Sequence, residues 1–185
     1  MGALARMGAL GVADVLAAFT DPAAGVRRRA CDLVAHLRRR ELTSRLVASL
    51  EDGNPSVVEA ACHALGEVLA DTEPGVTASS CCSHEDLADA VAVLQRTARG
   101  HTDPACQEAA VAALGAVGHP SGLPGVLAAM TDKPAVRRRA VVALAAFEGP
   151  DVSKALTTAL HDRDWQVRQI AEDLEGRRPR PSGHE

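Results

Sequence analysis

The chain has 185 residues, with 20 Lys and Arg against 24 Asp and Glu, and the resulting net charge of −4 supplies no overall attraction to nucleic acid or anionic lipid. Aromatic residues are only 2% of the total, with no Tyr, two Phe and one Trp, so any core must be built from Ala, Val and Leu, a composition that lets helices approach closely. No run reaches the ~18 apolar residues of a membrane span. Residues 1–6, interrupted by Arg6, do not read as a secretory signal, and an odd five cysteines make no disulfide framework; a cytoplasmic protein with reduced thiols is expected.

In chain order, Ala9-Leu10-Gly11 matches the end of a stretch that returns as Ala64-Leu65-Gly66 and Ala113-Leu114-Gly115, so a partial hairpin is expected at the N-terminus. Val12, Val15, Leu16 and Phe19 then fall at helical spacing, and Thr20-Asp21-Pro22 breaks the chain before a helix over 22–37. The next pair spans 41–50 and 55–70, divided by the turn signal Glu51-Asp52-Gly53-Asn54-Pro55. Residues 71–84 are polar, β-branched or turn-forming and read as an inserted loop, with Ser83 and Asp86 spaced as a capping box for a helix over 85–99. Gly100-His101-Thr102-Asp103-Pro104 leads into a helix through Val117. Another break at 118–122 precedes an outer helix carrying Leu123, Val126, Leu127 and Met130, with an inner partner over 134–147. The last hairpin starts at Glu148-Gly149-Pro150-Asp151, and its second helix holds Trp165, Val167, Ile170, Ala171 and Leu174. The tail 176–185 has nothing to bury and is expected to be disordered.

One stretch organises these hairpins. Val26, Val57, Cys106, Val136 and Val167 are each followed four residues later by Ala30, Ala61, Ala110, Ala140 and Ala171. The anchors recur at about 30 residues with one longer step, the mark of a solenoid. Around them runs a pattern of Asp, a short turn, Val-Arg, Ala and then Ala-Leu-Gly, best kept at Asp21…Val26-Arg27…Ala30 and Asp162…Val167-Arg168…Ala171. This pattern resembles the HEAT repeat, and within it the short bacterial type known from phycobilisome lyases. His101 and Thr131 stand where the pattern has Asp, and Val58 and Gln107 where it has Arg. The expectation is an all-α, right-handed α-solenoid of about five helical hairpins plus the partial first one, over residues 1–175. The resemblance implies that Arg27 and Arg168 pair with a turn aspartate. It leaves function open among scaffolds, adaptors, DNA binders and lyases.

At 100° per residue, the position two after each anchor points away from the core toward the concave surface; it reads Arg28, Glu59, Glu108, Arg138 and Gln169. Four residues further on come Asp32, His63, Ala112, Val142 and Asp173. The mixed signs make no basic track for nucleic acid, whereas an apolar centre with charged neighbours suits a protein surface. Arg28, Glu59, His63, Glu108, Arg138 and Val142 are the expected partner contacts, with the loop 72–84 as a clamp. Cys62-His63 and Cys81-Cys82-Ser83-His84 lack zinc-site spacing, Cys106 replaces an anchor valine as a core residue, and His101 and His119 sit in surface turns. No nucleophile elbow, phosphate loop or inward carboxylate pair is present, so neither catalysis nor a cofactor or metal is expected. The reading is a non-enzymatic scaffold or adaptor for a protein or peptide. A nucleic-acid binder and a bilin lyase or lyase-chaperone are the alternatives.

Overall fold

A computed structural model describes residues 11–70 and 84–177, and every regular element within them is helical. The expected partial N-terminal hairpin, the Ser83 half of the capping box, most of the inserted loop and the end of the tail lie outside the described residues. Five helix pairs follow in order: α1 (Val12–Ala18) with α2 (Ala24–Leu37), α3 (Thr43–Ser49) with α4 (Pro55–Leu69), α5 (His84–Gly100) with α6 (Pro104–Val117), α7 (Leu123–Ala129) with α8 (Pro134–Ala143), and α9 (Pro150–Ala159) with α10 (Trp165–Arg177). The even-numbered helices stack side by side as an inner layer, α2 on α4 on α6 on α8 on α10. The odd-numbered helices cover them as an outer layer. This is an all-α solenoid.

The breaks follow from local chemistry. Asp21, Asp52 and Asp162 each accept the backbone N–H two residues on, at 2.8, 2.9 and 2.8 Å, folding an Asx turn before the inner helix. His101 does the same through Nδ1, 3.0 Å from the Asp103 amide, so a histidine here fills the aspartate's role. Asn54, Asp103 and Asp164 then cap α4, α6 and α10 through side-chain bonds to the N–H two residues further. Pro55, Pro104 and Pro134 open their helices at the first position, where the missing N–H is no loss. Pro22, expected inside the second helix, lies in the turn before it. α8 also stops short of the expected 147: it tightens into a 3-10 turn at Leu144–Ala146, and Phe147 tucks back into the core. α10 runs on through Gly176 and Arg177.

The recurring stretch forms the core. The five repeat alanines Ala30, Ala61, Ala110, Ala140 and Ala171 are all 0% exposed, and Val57, Cys106, Val136 and Val167 are at most 1% exposed. Val26, on the first inner helix described, is only partly buried. Small residues set how near neighbouring inner helices come. A Cβ on Gly115 would lie 2.7 Å from the Ala143 Cβ and 2.9 Å from its Cα, whereas on Gly66 it would lie 3.3 Å from the Ala113 Cα. The Ala-Leu-Gly ending is therefore a packing requirement where α6 meets α8. Gly115→Ala is expected to lower stability by at least about 1 kcal/mol despite alanine's better helix propensity. Gly66→Ala should stay near neutral; parallel thermal melts of the two variants check both outcomes.

Candidate functional site

Two columns of side chains leave the inner helices from adjacent positions and meet different fates. In the first column, directly after the anchor, Arg27 reaches forward to the next hairpin and holds Asp52 with a two-pronged contact, Nε to Oδ2 at 2.6 Å and Nη2 to Oδ1 at 2.8 Å. Its Nη1 also bonds the Asp21 carbonyl of its own turn at 2.8 Å. Arg137 repeats the device: Nε and Nη2 grip Asp162 at 2.9 and 2.7 Å, and Nη1 bonds the Asp132 carbonyl at 2.8 Å. The aspartate is thus the following repeat's, not the arginine's own. Arg168, at the end of the described array, bonds only backbone carbonyls of its own turn, Asp162 at 2.8 Å and Arg163 at 3.4 Å. Gln107 fills the column in α6 and donates weakly to Asp132 at 3.4 Å, while its buried Oε1 has no partner. In that turn Asp132, one residue after the expected Thr131, supplies the carboxylate.

The second column turns toward solvent from the inner helices. Arg28, Glu59, His63 and Glu108, from α2, α4 and α6, border one open groove of about 610 Å³. Its floor is small and apolar, formed by Ala60, Ala109, Ala112, Ala113 and Gly66. Arg138 and Val142 do not border it. The Arg138 guanidinium is turned onto the Gln166 Oε1 of α10, and its Nε bonds the Pro134 carbonyl at 3.2 Å. Val142 stands 47% exposed further along α8. Arg139, the last of its triplet, borders the groove instead. The sequence offered no sign of this, because which arginine turns toward the groove depends on what the neighbouring helix offers its fellow. Asp32 and Glu67 also border the groove, but each lies near an arginine, Arg29 at 3.7 Å and Arg38 at 3.9 Å.

Other chemistry is thin. Cys31, Cys62 and Cys106 are buried and free. Burial pushes the Cys31 and Cys106 thiols up to about 11 and the Cys62 thiol higher still, so none is a ready nucleophile. Cys106 packs at its anchor position with Sγ 3.2 Å from the Pro55 carbonyl. Among the described residues no three His, Cys, Asp or Glu side chains gather as a metal site, and no helix is long and apolar enough to cross a membrane. Cys81 and Cys82 lie outside the described residues.

The sequence profile of HEAT repeats matches residues 12–79 and 90–174. The chain belongs to the HEAT-repeat family. No curated protein sequence matches it significantly. Among solved structures, the array is similar to YibA of Escherichia coli, with a TM-score of 0.67 and 13% identity over 95% of this chain, which spans 61% of that protein's length. It is also similar to a designed armadillo repeat protein in complex with a (KR)4 peptide, with a TM-score of 0.63 and 15% identity over 95% of this chain and 84% of that one. One chain from the complex of CpcE and CpcF of phycocyanin lyase from Nostoc matches with a TM-score of 0.64 and 18% identity over 95% of this chain and 99% of that one. At these identities the likeness is one of fold.

Within the HEAT array the forward-reaching arginines act as staples between repeats. Hydrogen bonds from Arg137 hold the Asp162 carboxyl below its usual range, outweighing the opposite push of burial, and Arg27 does the same to Asp52. A carboxyl depressed on folding stabilises the protein above its unfolded pKa, and that contribution fades as pH falls through the folded value. Arg137→Met, which cuts three charge-assisted bonds, should therefore cost about 2–3 kcal/mol at neutral pH. The gap between variant and parent should begin to narrow as pH drops below about 4, the ordinary range of an unfolded aspartate, and close as pH falls through the depressed folded value, where the carboxylate is protonated in the parent as well. Denaturant titrations at a series of pH values check this.

Proposed function

We propose that this HEAT array is a non-enzymatic binding scaffold of the cytoplasm that takes a protein or peptide segment along its concave side. The observation that carries the reading is the groove of about 610 Å³ that crosses successive inner helices, with an alanine floor and charged walls. An apolar strip rimmed by charge is the common anatomy of a protein-recognition surface. Arg28, Glu59, His63 and Glu108 are the contacts at its walls, and Val142 and Arg138 extend the surface toward the C-terminal repeats. A rigid stack fits this work, since each repeat contributes two or three side chains without folding on binding.

Support from relatives is of the same kind. A designed armadillo protein of similar fold is known in complex with a peptide, and a chain of similar fold belongs to the complex of CpcE and CpcF. Nucleic-acid binding is disfavoured by the carboxylates that share the groove with its arginines, since a phosphate backbone calls for a continuous basic track.

Capture from nuclease-treated lysate tests the reading when run with two variants beside the parent. Ala112→Arg fills the groove floor, whereas Lys154→Glu changes an exposed residue of the outer helix α9. Protein partners held by the parent and by Lys154→Glu are expected to be lost from Ala112→Arg. Partners kept by Ala112→Arg would place recognition elsewhere, and a captured nucleic acid or tetrapyrrole would replace the scaffold reading altogether.

A further inference from the structure

The charges along the groove have an order. Besides Asp32 and Glu67, each inner helix from α2 to α8 gives the groove one further exposed or half-exposed ionic side chain: Arg28, Glu59, Glu108 and Arg139 in turn. None of the four forms an ion pair or side-chain hydrogen bond with any described residue. By contrast, Asp32 and Glu67 face Arg29 and Arg38, and Arg138 is turned onto Gln166. Once the internally matched groups are set aside, the groove presents positive, negative, negative, positive, one charge per repeat. Glu59 and Glu108 are brought together only by the fold, because the inserted loop separates them in sequence.

Building on the concave-groove reading above, we infer that the occupant is an extended peptide segment whose side chains run acidic, basic, basic, acidic. Packed helices lie about 8–10 Å apart, and a chain extended as polyproline II advances about 3.1 Å per residue with three residues per turn, so every third side chain falls on one side, opposite successive inner helices. The two central bases sit between Glu59 and Glu108 over the alanine floor, where the stems of Lys or Arg cover apolar surface while their heads reach the carboxylates. The two flanking acids meet Arg28 and Arg139. The order is the same read from either end, so recognition does not depend on the direction in which the segment lies. A helical occupant would turn its charges away within one turn and could meet only part of the row. The order also disfavours a polybasic segment, whose outer charges would oppose Arg28 and Arg139.

Two fluorescein-labelled twelve-residue peptides of identical composition and zero net charge make the test. One carries Glu, Arg, Arg and Glu at every third position in a Gly/Ser/Ala background, and the other carries Arg, Glu, Glu and Arg at the same places. Fluorescence anisotropy with the full chain should show the first binding about tenfold more tightly, the scale of several modest surface ion pairs acting together. The preference should vanish in the Glu59→Gln/Glu108→Gln double variant. It should reverse in the fourfold exchange Arg28→Glu, Glu59→Arg, Glu108→Arg and Arg139→Glu, with circular dichroism melts confirming that both variants fold. Equal binding of the two peptides would overturn the charge order and leave the groove as a peptide site. Binding of neither would overturn both the charge order and the peptide-groove reading.

Discussion

Each staple in this array joins a guanidinium to a carboxylate in the turn of the following repeat, and the pair is largely removed from water: the Arg137 and Asp162 side chains are 5% and 15% exposed. A lone charge at either place would be costly, so the two repeats are held in one relative position wherever the pair forms. The same guanidinium also satisfies the carbonyl of its own turn, which ties the start of an inner helix to the helix beside it. Curvature in a solenoid is the sum of such small fixed steps between neighbours. Beneath the groove the α2-to-α4 step carries such a staple, whereas Val58 and Gln107 hold the column in α4 and α6.

The staples also sort the arginines by task. In Arg27-Arg28-Arg29 the first is engaged with Asp52, the third lies near Asp32, and the middle one is left facing the groove. In Arg137-Arg138-Arg139 the first again serves the stack, but the second is taken by Gln166 and the third faces the groove. Four of the six arginines in these triplets are thus turned onto the chain's own groups. What remains for a partner is a sparse row of single charges over a floor of alanine.

The architecture was legible because the signals were local and repeated. An anchor and an alanine four residues on lie on one helical face, and five recurrences leave little doubt that the face is buried. Turn chemistry was equally local, even where His101 stands for aspartate. What the chain alone did not reveal lay across interfaces. That Arg27 serves Asp52 rather than Asp21, that Asp132 replaces Thr131 in its turn, and that Arg139 rather than Arg138 borders the groove all depend on how one repeat meets the next. The groove residues Arg28, Glu59, His63 and Glu108 could be foreseen from a helical wheel, since they need only the direction in which they leave their helices. Their free or engaged state could not.

The forward-reaching column couples repeats where it carries arginine, and the array contains an imperfect rung. Gln107 occupies that column in α6, 6% exposed, with a long 3.4 Å contact to Asp132 and an unpartnered Oε1. Gln107→Arg would place a guanidinium where Arg27 and Arg137 stand in their own helices, facing a carboxylate in the same relative place. Its unfolding midpoint, measured beside the parent's, tests the claim most directly. The staple account predicts a rise, equivalent to about 1 kcal/mol or more from the new charge-assisted bonds. An unchanged or lower midpoint would contradict it.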